Sequence, residues 1–248
     1  GLVMSIAAPL CVTNGLLVRR RGAPRPGAGP CEGGSIAALG DVSPQPGDRV
    51  VDAKGALIAP GIVGLGVFAI DKPAFHFGGI TRAALMPDQQ PPLDRPSTVR
   101  FAAQSGKPDF WVHPLAAATR GLEGRELAEI ALMRDAGARA VATGRRWIDD
   151  SEIMLRLLRY CAMLDVTVVT HAEDAGLAGN AVATAGEMAT RLGLPSAPAE
   201  AEALAVARDI ALAEIAGARL HFRQVTTAAG LALVRAAKAR GVQVTAGI

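Results

Sequence analysis

The sequence has few of the residues that mark small secreted, membrane-spanning or redox-active proteins. Cysteine occurs three times in 248 residues, at Cys11, Cys31 and Cys161, and no two form a Cys-x-x-Cys pair. A disulfide framework or a thiolate zinc site is therefore not expected, and the scarcity favours a reducing, cytoplasmic location. No apolar run is long enough to span a bilayer, so we expect no membrane partner.

The sequence also lacks a strong excess of charge. Charged residues make up 20% of the chain and the formal net charge is only +3, which argues against a nucleic-acid partner. One basic cluster, "RRRGAPRPGAGP" at residues 19–30, is rich in proline and glycine. That composition predicts a solvated loop.

Residues 1–60 are predicted to form a small β-rich unit. Short apolar runs at residues 16–18, 35–39, 50–52 and 56–58 are separated by turn residues such as Asn14-Gly15 and Lys54-Gly55. The opening "GLVMSIAAPLCV" has no basic residues before its apolar stretch, so we interpret it as a folded strand and not as a signal peptide.

Residues 61–248 show a different pattern, in which apolar strands alternate with helical stretches. The helical stretches include residues 124–137, 149–165 and 196–218. This alternation predicts a parallel sheet, and seven successive units favour a (β/α) barrel over an open sheet. The predicted strands are residues 62–68, 80–86, 110–113, 138–143, 166–171, 220–225 and 242–245.

The first strand-to-helix connection is unusually short. About nine residues, including Pro73, separate the end of the first strand from Gly78-Gly79, and they show no helical period. Since a parallel crossover usually needs a dozen or more residues, the first barrel helix is predicted to be missing or reduced to a turn.

The candidate functional residues follow the predicted strands, because the active sites of such barrels lie at the carboxyl ends of the strands. Asp88 follows the second strand, Arg145 and Arg146 follow the fourth, and His171 ends the fifth. Gln224 stands at the end of the sixth strand, whereas the first strand ends in "GLGVF" and offers no ligand.

Several phrases in this order resemble the dihydroorotases of the cyclic amidohydrolase superfamily. They are "VVDAKGALIAPGIVGLGV", "GGITRAALMPD", "THAED" and the stretch from "ATRLGLP" to "GVQVTA", so the resemblance runs from about Val50 to the end. It implies a (β/α)8 TIM-type barrel, truncated after strand seven in this chain, beside a small N-terminal β-sandwich. It also implies a role in pyrimidine biosynthesis.

The family pattern is not kept on the first barrel strand. The resemblance implies an aspartate and a His-x-His-x-Arg run there, which supply metal ligands and an arginine for the substrate carboxylate. The matching positions hold Gly64, Gly66, Phe68 and Ile70.

The remaining family positions are kept only in part. The acid that bridges the metals in the family would fall near Thr143 or Gly144, and the histidine of the sixth strand is replaced by Gln224. His171 matches the histidine of the fifth strand, and Asp88 matches a substrate-contacting asparagine. The aspartate that acts as general base in the family would lie beyond Ile248.

These differences predict that the chain does not hold the family's zinc ions. A binuclear site needs several imidazole and carboxylate ligands, and one histidine with a neutral amide does not supply them. We expect Phe68 to fill the cavity where metal would sit, and no cofactor is predicted. Zinc is expected only if the site is unexpectedly functional.

Each candidate residue also has a structural interpretation. His171 could be a residual ligand or a catalytic base, or a hydrogen-bonded histidine at a buried strand end. Arg145 and Arg146 could bind an anion or belong to a solvated loop. Asp88 could contact a substrate or form a turn before Pro91-Pro92.

Three functions remain open, although nothing in the sequence singles out the third, a small-ligand sensor built on an inactive barrel. The first is an inactive dihydroorotase-like protein that supports the assembly of aspartate transcarbamoylase, as some non-catalytic family members do, within an oligomer. The second is an active cyclic amidohydrolase with an atypical metal site that uses His171.

Overall fold

The structure, a computed structural model, describes residues 9–18, 22–32 and 35–248. The chain divides into two compact units, with the boundary between Gly61 and Ile62. In the described residues no helix is long and apolar enough to cross a membrane.

The first unit contains a five-stranded mixed sheet built around its first strand. That strand pairs antiparallel with the second and parallel with the fourth and the fifth, while the third pairs with the second. The strands are β1 (Leu10–Leu17), β2 (Arg25–Glu32), β3 (Ser35–Ile36), β4 (Arg49–Asp52) and β5 (Leu57–Ile58). The sandwich expected for residues 1–60 is represented by one sheet in the described part.

Two local predictions for this unit were wrong. Asn14-Gly15 does not end a strand but lies inside β1, where the register with β2 shifts between Val12 and Gly15. Asn14 has a positive φ of 54°, as is common at such irregularities. The basic segment predicted as a loop contributes its second half, from Arg25, to β2. Residues 1–8 of the predicted N-terminal strand lie outside the described residues.

The second unit is built on a curled sheet of seven parallel strands. The order of the strands in the sheet follows their order in the chain, so each is hydrogen-bonded to the next barrel strand, as in a (β/α) barrel. The strands are β6 (Ile62–Val67), β7 (Ile80–Leu85), β8 (Trp111–Ala117), β9 (Ala140–Ala142), β10 (Val168–Thr170), β13 (Leu220–Phe222) and β14 (Val244–Ala246). The short β11 (Ala183–Thr184) and β12 (Ser196–Ala197) form a separate pair.

Helices connect these strands and cover one face of the sheet. They are α1 (Lys72–Phe77), α2 (Pro96–Gln104), α3 (Ile130–Asp135), α4 (Ser151–Met163), α5 (Ala175–Ala178), α6 (Glu187–Arg191), α7 (Glu200–Ala216) and α8 (Ala228–Ala239). A 3-10 turn spans Arg120–Leu122.

Alternate residues of the strands enter two separate hydrophobic clusters, one on each face of the sheet. On β8 and β9, Ala116 and Val141 pack into the large cluster shared with the helices. Their neighbours Leu115 and Ala142 join Met86 and Val169 in a small cluster on the other face. This small cluster fills the inner side of the curved sheet, below its carboxyl ends.

The first barrel helix, predicted to be missing or reduced to a turn, is present but short. Helix α1 has six residues and begins after Asp71, whose side chain accepts a hydrogen bond from the backbone N–H of Ala74 at 3.0 Å. Pro73 lies in its first turn, where proline is tolerated because that N–H has no helical partner. Phe75 anchors the helix in the core.

Other elements also differ from the sequence prediction. The helix predicted over residues 124–137 is confined to α3, because the preceding segment forms the 3-10 turn and a β-bridge between Thr119 and Leu127. The strand predicted to stop at His113 continues through Pro114 to Ala117. In the parallel pairing with β7, Pro114 lies opposite Leu85.

Candidate functional site at the barrel mouth

The carboxyl ends of the barrel strands bring the candidate residues to one edge of the sheet. Phe68 follows β6, Asp88 follows β7 and Arg145 follows β9, while His171 follows β10. Arg223, which directly follows β13, joins them. We call this group of strand ends the mouth.

The centre of the mouth is a stack of two arginines on an aromatic ring. The guanidinium carbon of Arg145 lies 3.9 Å from the centroid of the Phe68 ring, and that of Arg223 lies 4.9 Å from it. Both distances are within the range of attractive cation–π contacts. Gly66 has a φ of +78°, and a Cβ there would lie 3.5 Å from Cγ of Arg223. The stack therefore stands beside the two positions where the family resemblance implies metal ligands.

Contacts of both its side chain and its backbone hold Phe68 in place. Phe68 packs against the small inner cluster that includes Met86 and Val169. The side-chain amide of Gln89 donates to the carbonyl oxygens of Phe68, at 2.9 Å, and Met86, at 3.1 Å. The ring thus closes the top of the inner cluster.

Asp88 is joined to the end of β9 and not only to its own turn. Its Oδ2 accepts a hydrogen bond from the backbone N–H of Arg145 at 3.0 Å. A Cβ on Gly144 would lie 2.9 Å from the same oxygen, so glycine permits this close approach. The other oxygen, Oδ1, is buried without a hydrogen-bond partner among the described residues.

His171 is paired with an acid from its own strand-end segment. Its Nε2 lies 3.3 Å from Oε2 of Glu173, and its backbone N–H donates to Oγ1 of Thr143 at 3.2 Å. Asp174 caps α5 by accepting from the backbone N–H groups of Gly176 and Leu177.

The other predicted site residues do not converge on the stack. Arg146 is exposed and donates to the carbonyl oxygen of Glu123 at 3.3 Å. Gln224 is exposed. The sequence analysis did not select Arg223. The one feature that could have indicated it is its position next to Gln224, near the end of the sixth barrel strand.

The remaining strand histidines make local contacts. His113 lies 3.2 Å from a guanidinium nitrogen of Arg82, and burial together with that positive charge lowers the pKa of His113. Nδ1 of His221 lies 2.8 Å from Oγ1 of Thr245 on the adjacent strand, and burial lowers the pKa of His221.

A buried polar cluster supports the mouth from behind the strands. Asp209 of α7 has no exposed surface, and its Oδ1 accepts two hydrogen bonds from Arg208, at 2.6 and 2.9 Å. Its Oδ2 accepts from Nε1 of Trp147 at 3.2 Å and from Oγ1 of Thr170 at 2.9 Å. Burial raises the pKa of Asp209, while the charge of Arg208 and these hydrogen bonds oppose the rise.

Arg208 completes this cluster by fixing the loop after β9. Its guanidinium carbon lies 3.8 Å from the ring centroid of Trp147, and its nitrogens also donate to the carbonyl oxygens of Ile148 and Asp149. Helix α7 thereby holds the segment that carries Arg145.

Glu202 makes a second connection between helices at this end of the barrel. Its carboxylate accepts from the backbone N–H and the hydroxyl of both Thr226 and Thr227, at 2.7 to 3.1 Å. Burial alone would raise the pKa of Glu202, but these hydrogen bonds outweigh it and hold the pKa below its ordinary value. Thr227 in turn caps α8.

The residues at the mouth do not fit a zinc centre. Gly66 has no side-chain ligand, Phe68 presents a hydrocarbon ring, and His171 is the one imidazole at the strand ends that form the stack. Among residues 9–18, 22–32 and 35–248 no three His, Cys, Asp or Glu side chains are grouped as a metal ion would require.

The sequence matches the family model described as dihydro-orotase-like over residues 55–229. The chain belongs to the dihydroorotase-like family. This dihydroorotase-like chain is 39% identical over 227 residues to a dihydroorotase of Pelotomaculum thermopropionicum, covering 86% of the chain and 53% of that relative. It is also 36% identical over 233 residues to a dihydroorotase-like protein of Pseudomonas putida, covering 88% of the chain and 55% of the relative.

Solved structures with the same fold include hydantoinases. The L-hydantoinase of Arthrobacter aurescens aligns with a TM-score of 0.76 and 23% identity, over 97% of this chain and 58% of that protein. A D-hydantoinase of Thermus sp. aligns with a TM-score of 0.71 and 21% identity, over 96% and 57% of the two chains. At this identity the likeness establishes the amidohydrolase barrel alone. The dihydroorotase-like chain spans just over half the length of these relatives.

Proposed function

We propose that this chain is a catalytically inactive dihydroorotase-like protein of pyrimidine biosynthesis that supports the assembly of aspartate transcarbamoylase. The observation that carries the proposal is the Phe68 stack. The aromatic ring of Phe68 stands at a position where the family pattern has a metal ligand, and two arginine side chains lie against that ring.

The chemistry of the stack opposes the family reaction. Hydrolysis of a cyclic amide by this mechanism needs a metal-activated water, and two guanidinium groups repel a cation and offer it no lone pair. Ile70 also replaces the arginine that would hold a substrate carboxylate. The partner is proposed by analogy with non-catalytic members of the family.

Two measurements test the proposal. The purified chain, incubated with zinc, is expected to give no dihydroorotate turnover above a protein-free control, and to retain much less than two zinc ions per chain. Stoichiometric zinc together with turnover would reject the inactive protein.

The assembly role is tested separately, with the aspartate transcarbamoylase encoded in the same genome. We expect the two proteins to co-elute in size-exclusion chromatography and the transferase activity to rise when the chain is added. Bovine serum albumin at equal concentration serves as the control. Absence of both effects would reject the proposed partner.

An active cyclic amidohydrolase remains the second candidate, because His171 is retained and is paired with Glu173 in the manner of an oriented base. This function requires saturable hydrolysis of dihydroorotate, a hydantoin or a dihydropyrimidine that His171→Ala abolishes. Failure of all three substrates would exclude it for this chain.

A further inference from the structure

We infer that Arg145 and Arg223, which both contact the ring of Phe68, form a binding site for a small oxyanion, a carboxylate or a phosphate. The two arginines follow different strands, β9 and β13, yet both side chains reach the same ring. Their guanidinium carbons are therefore separated by no more than the sum of their two distances to its centroid. Two like charges this close repel each other, and an anion between them would reverse the sign of that interaction.

The hydrogen-bonding groups of these two side chains are largely free. Within the described ranges neither arginine forms an ion pair with a carboxylate. Nε of Arg223 is buried without a partner among the same residues. A buried donor of this kind is costly unless something accepts from it.

Arg208 provides an internal comparison. It too lies over an aromatic ring, that of Trp147, but its nitrogens are bonded to Asp209 and to the carbonyl oxygens of Ile148 and Asp149. That guanidinium has a structural role, and its donors are used. Arg145 and Arg223 keep the same stacked geometry while their donors remain available.

Two carboxylates of the mouth have partners other than these guanidinium groups. Asp88 uses one oxygen to accept from the backbone N–H of Arg145, and Glu173 pairs with His171. Neither carboxylate forms an ion pair with the two arginines. Among the described residues the two guanidinium groups therefore have no carboxylate partner.

The geometry favours a small anion with two or more oxygens. A guanidinium group presents a planar set of donors that matches a carboxylate or a phosphate, and arginine suits such an ion better than lysine does. The ring of Phe68 is an apolar neighbour that both side chains contact. This site would hold a ligand without any metal.

Isothermal titration calorimetry at constant ionic strength tests the site, with inorganic phosphate and succinate as separate probes. We expect saturable binding of at least one probe with a stoichiometry of one. Arg145→Gln and Arg223→Gln should each weaken that binding about tenfold or more, because each removes charge-assisted hydrogen bonds. Arg223→Lys keeps the charge but loses the planar donors, and should also weaken it.

Arg235→Gln is the matched control, since Arg235 is an exposed arginine of α8 that lies apart from the stack. It should bind like the native chain, and circular dichroism melting should verify that every variant is folded. The inference is overturned if neither probe binds saturably, if the stack variants bind like the native chain, or if Arg235→Gln weakens binding equally. None of these outcomes depends on a transcarbamoylase or on hydrolysis, so the proposed function can fail while this site stands.

Discussion

Replacement of Asp209 by alanine should destabilise the barrel more than any exposed substitution. The carboxylate is fully buried and accepts hydrogen bonds from three side chains, Arg208, Trp147 and Thr170. Alanine removes all these acceptors at once and leaves a nearly buried guanidinium without its counter-charge.

The expected loss of stability depends on the hydrogen bonds that Arg208 keeps in the variant. Breaking a buried ion pair costs about 3–5 kcal/mol. The Arg208 side chain is 18% exposed and still donates to the carbonyl oxygens of Ile148 and Asp149 after the change, which places Asp209→Ala near the lower end. A loss of about 3 kcal/mol corresponds to a fall in Tm of about 6–12 °C for a chain of this size.

Asp209→Asn sharpens the test because it keeps the size of the side chain. An amide has one acceptor oxygen, so it can serve either Arg208 or the pair Trp147 and Thr170, but not both. We therefore expect Asp209→Asn to be destabilising too, by about 2 kcal/mol.

Urea denaturation followed by circular dichroism measures the free energy of unfolding of both variants. Asp135→Ala is the control, since Asp135 pairs with Arg134 on the surface and its side chain is 65% exposed. The control should change stability by less than about 1 kcal/mol. If Asp209→Ala is no more destabilising than Asp135→Ala, the assignment of Asp209 as a structural centre is refuted.

Three further predictions concern individual residues. Because the pKa of Glu202 is lower in the folded chain, its carboxylate stabilises the fold above its ordinary pKa. This contribution should disappear as the pH falls through the lowered value. The free energy of unfolding of Glu202→Gln should therefore fall less at acidic pH than that of the native chain. Gly144→Ala should cost about 1–3 kcal/mol, because φ is +79° and the new Cβ would press on Asp88. Burial raises the pKa of Cys161 to about 12, so maleimide should label Cys161 only after unfolding, as peptide mass spectrometry would reveal.

Each of these three has a contradicting result. If the free energy of unfolding of Glu202→Gln falls at acidic pH as much as that of the native chain, Glu202 does not contribute to the pH dependence of stability. A Gly144→Ala variant as stable as the native chain, with Gly137→Ala as a comparison at a positive φ without close contacts, would show that Asp88 yields easily. Rapid labelling of Cys161 in the native chain would mean that α4 opens locally.

Much of the barrel could be predicted from the sequence, because buried parallel strands are continuous apolar runs. The seven predicted strands were confirmed as seven parallel strands in chain order. The failures have local causes. Helix α1 is too short to show a helical period, and it contains Pro73. The segment before α3 forms a β-bridge with Thr119, and hydrophobic periodicity does not reveal such a partner.

The site was harder to predict, because it depends on contacts between residues that are far apart in the sequence. The strand-end rule placed Asp88, Arg145 and His171 at the mouth. It gave no reason to choose Arg223, because Arg223 lay inside the strand predicted over residues 220–225, and only the fold brings it to Phe68. A local sequence pattern also could not predict the hydrogen bond from the backbone N–H of Arg145 to Asp88.

The Phe68 stack has a mechanical consequence as well as a chemical one. In the sheet, β6 is at one edge, β9 is in the middle and β13 is next to the other edge. The contacts of Arg145 and Arg223 with Phe68 connect the ends of all three strands across the curved sheet. At the mouth, the edge strand β6 is therefore linked to distant strands by side-chain contacts, as well as to β7 by backbone hydrogen bonds.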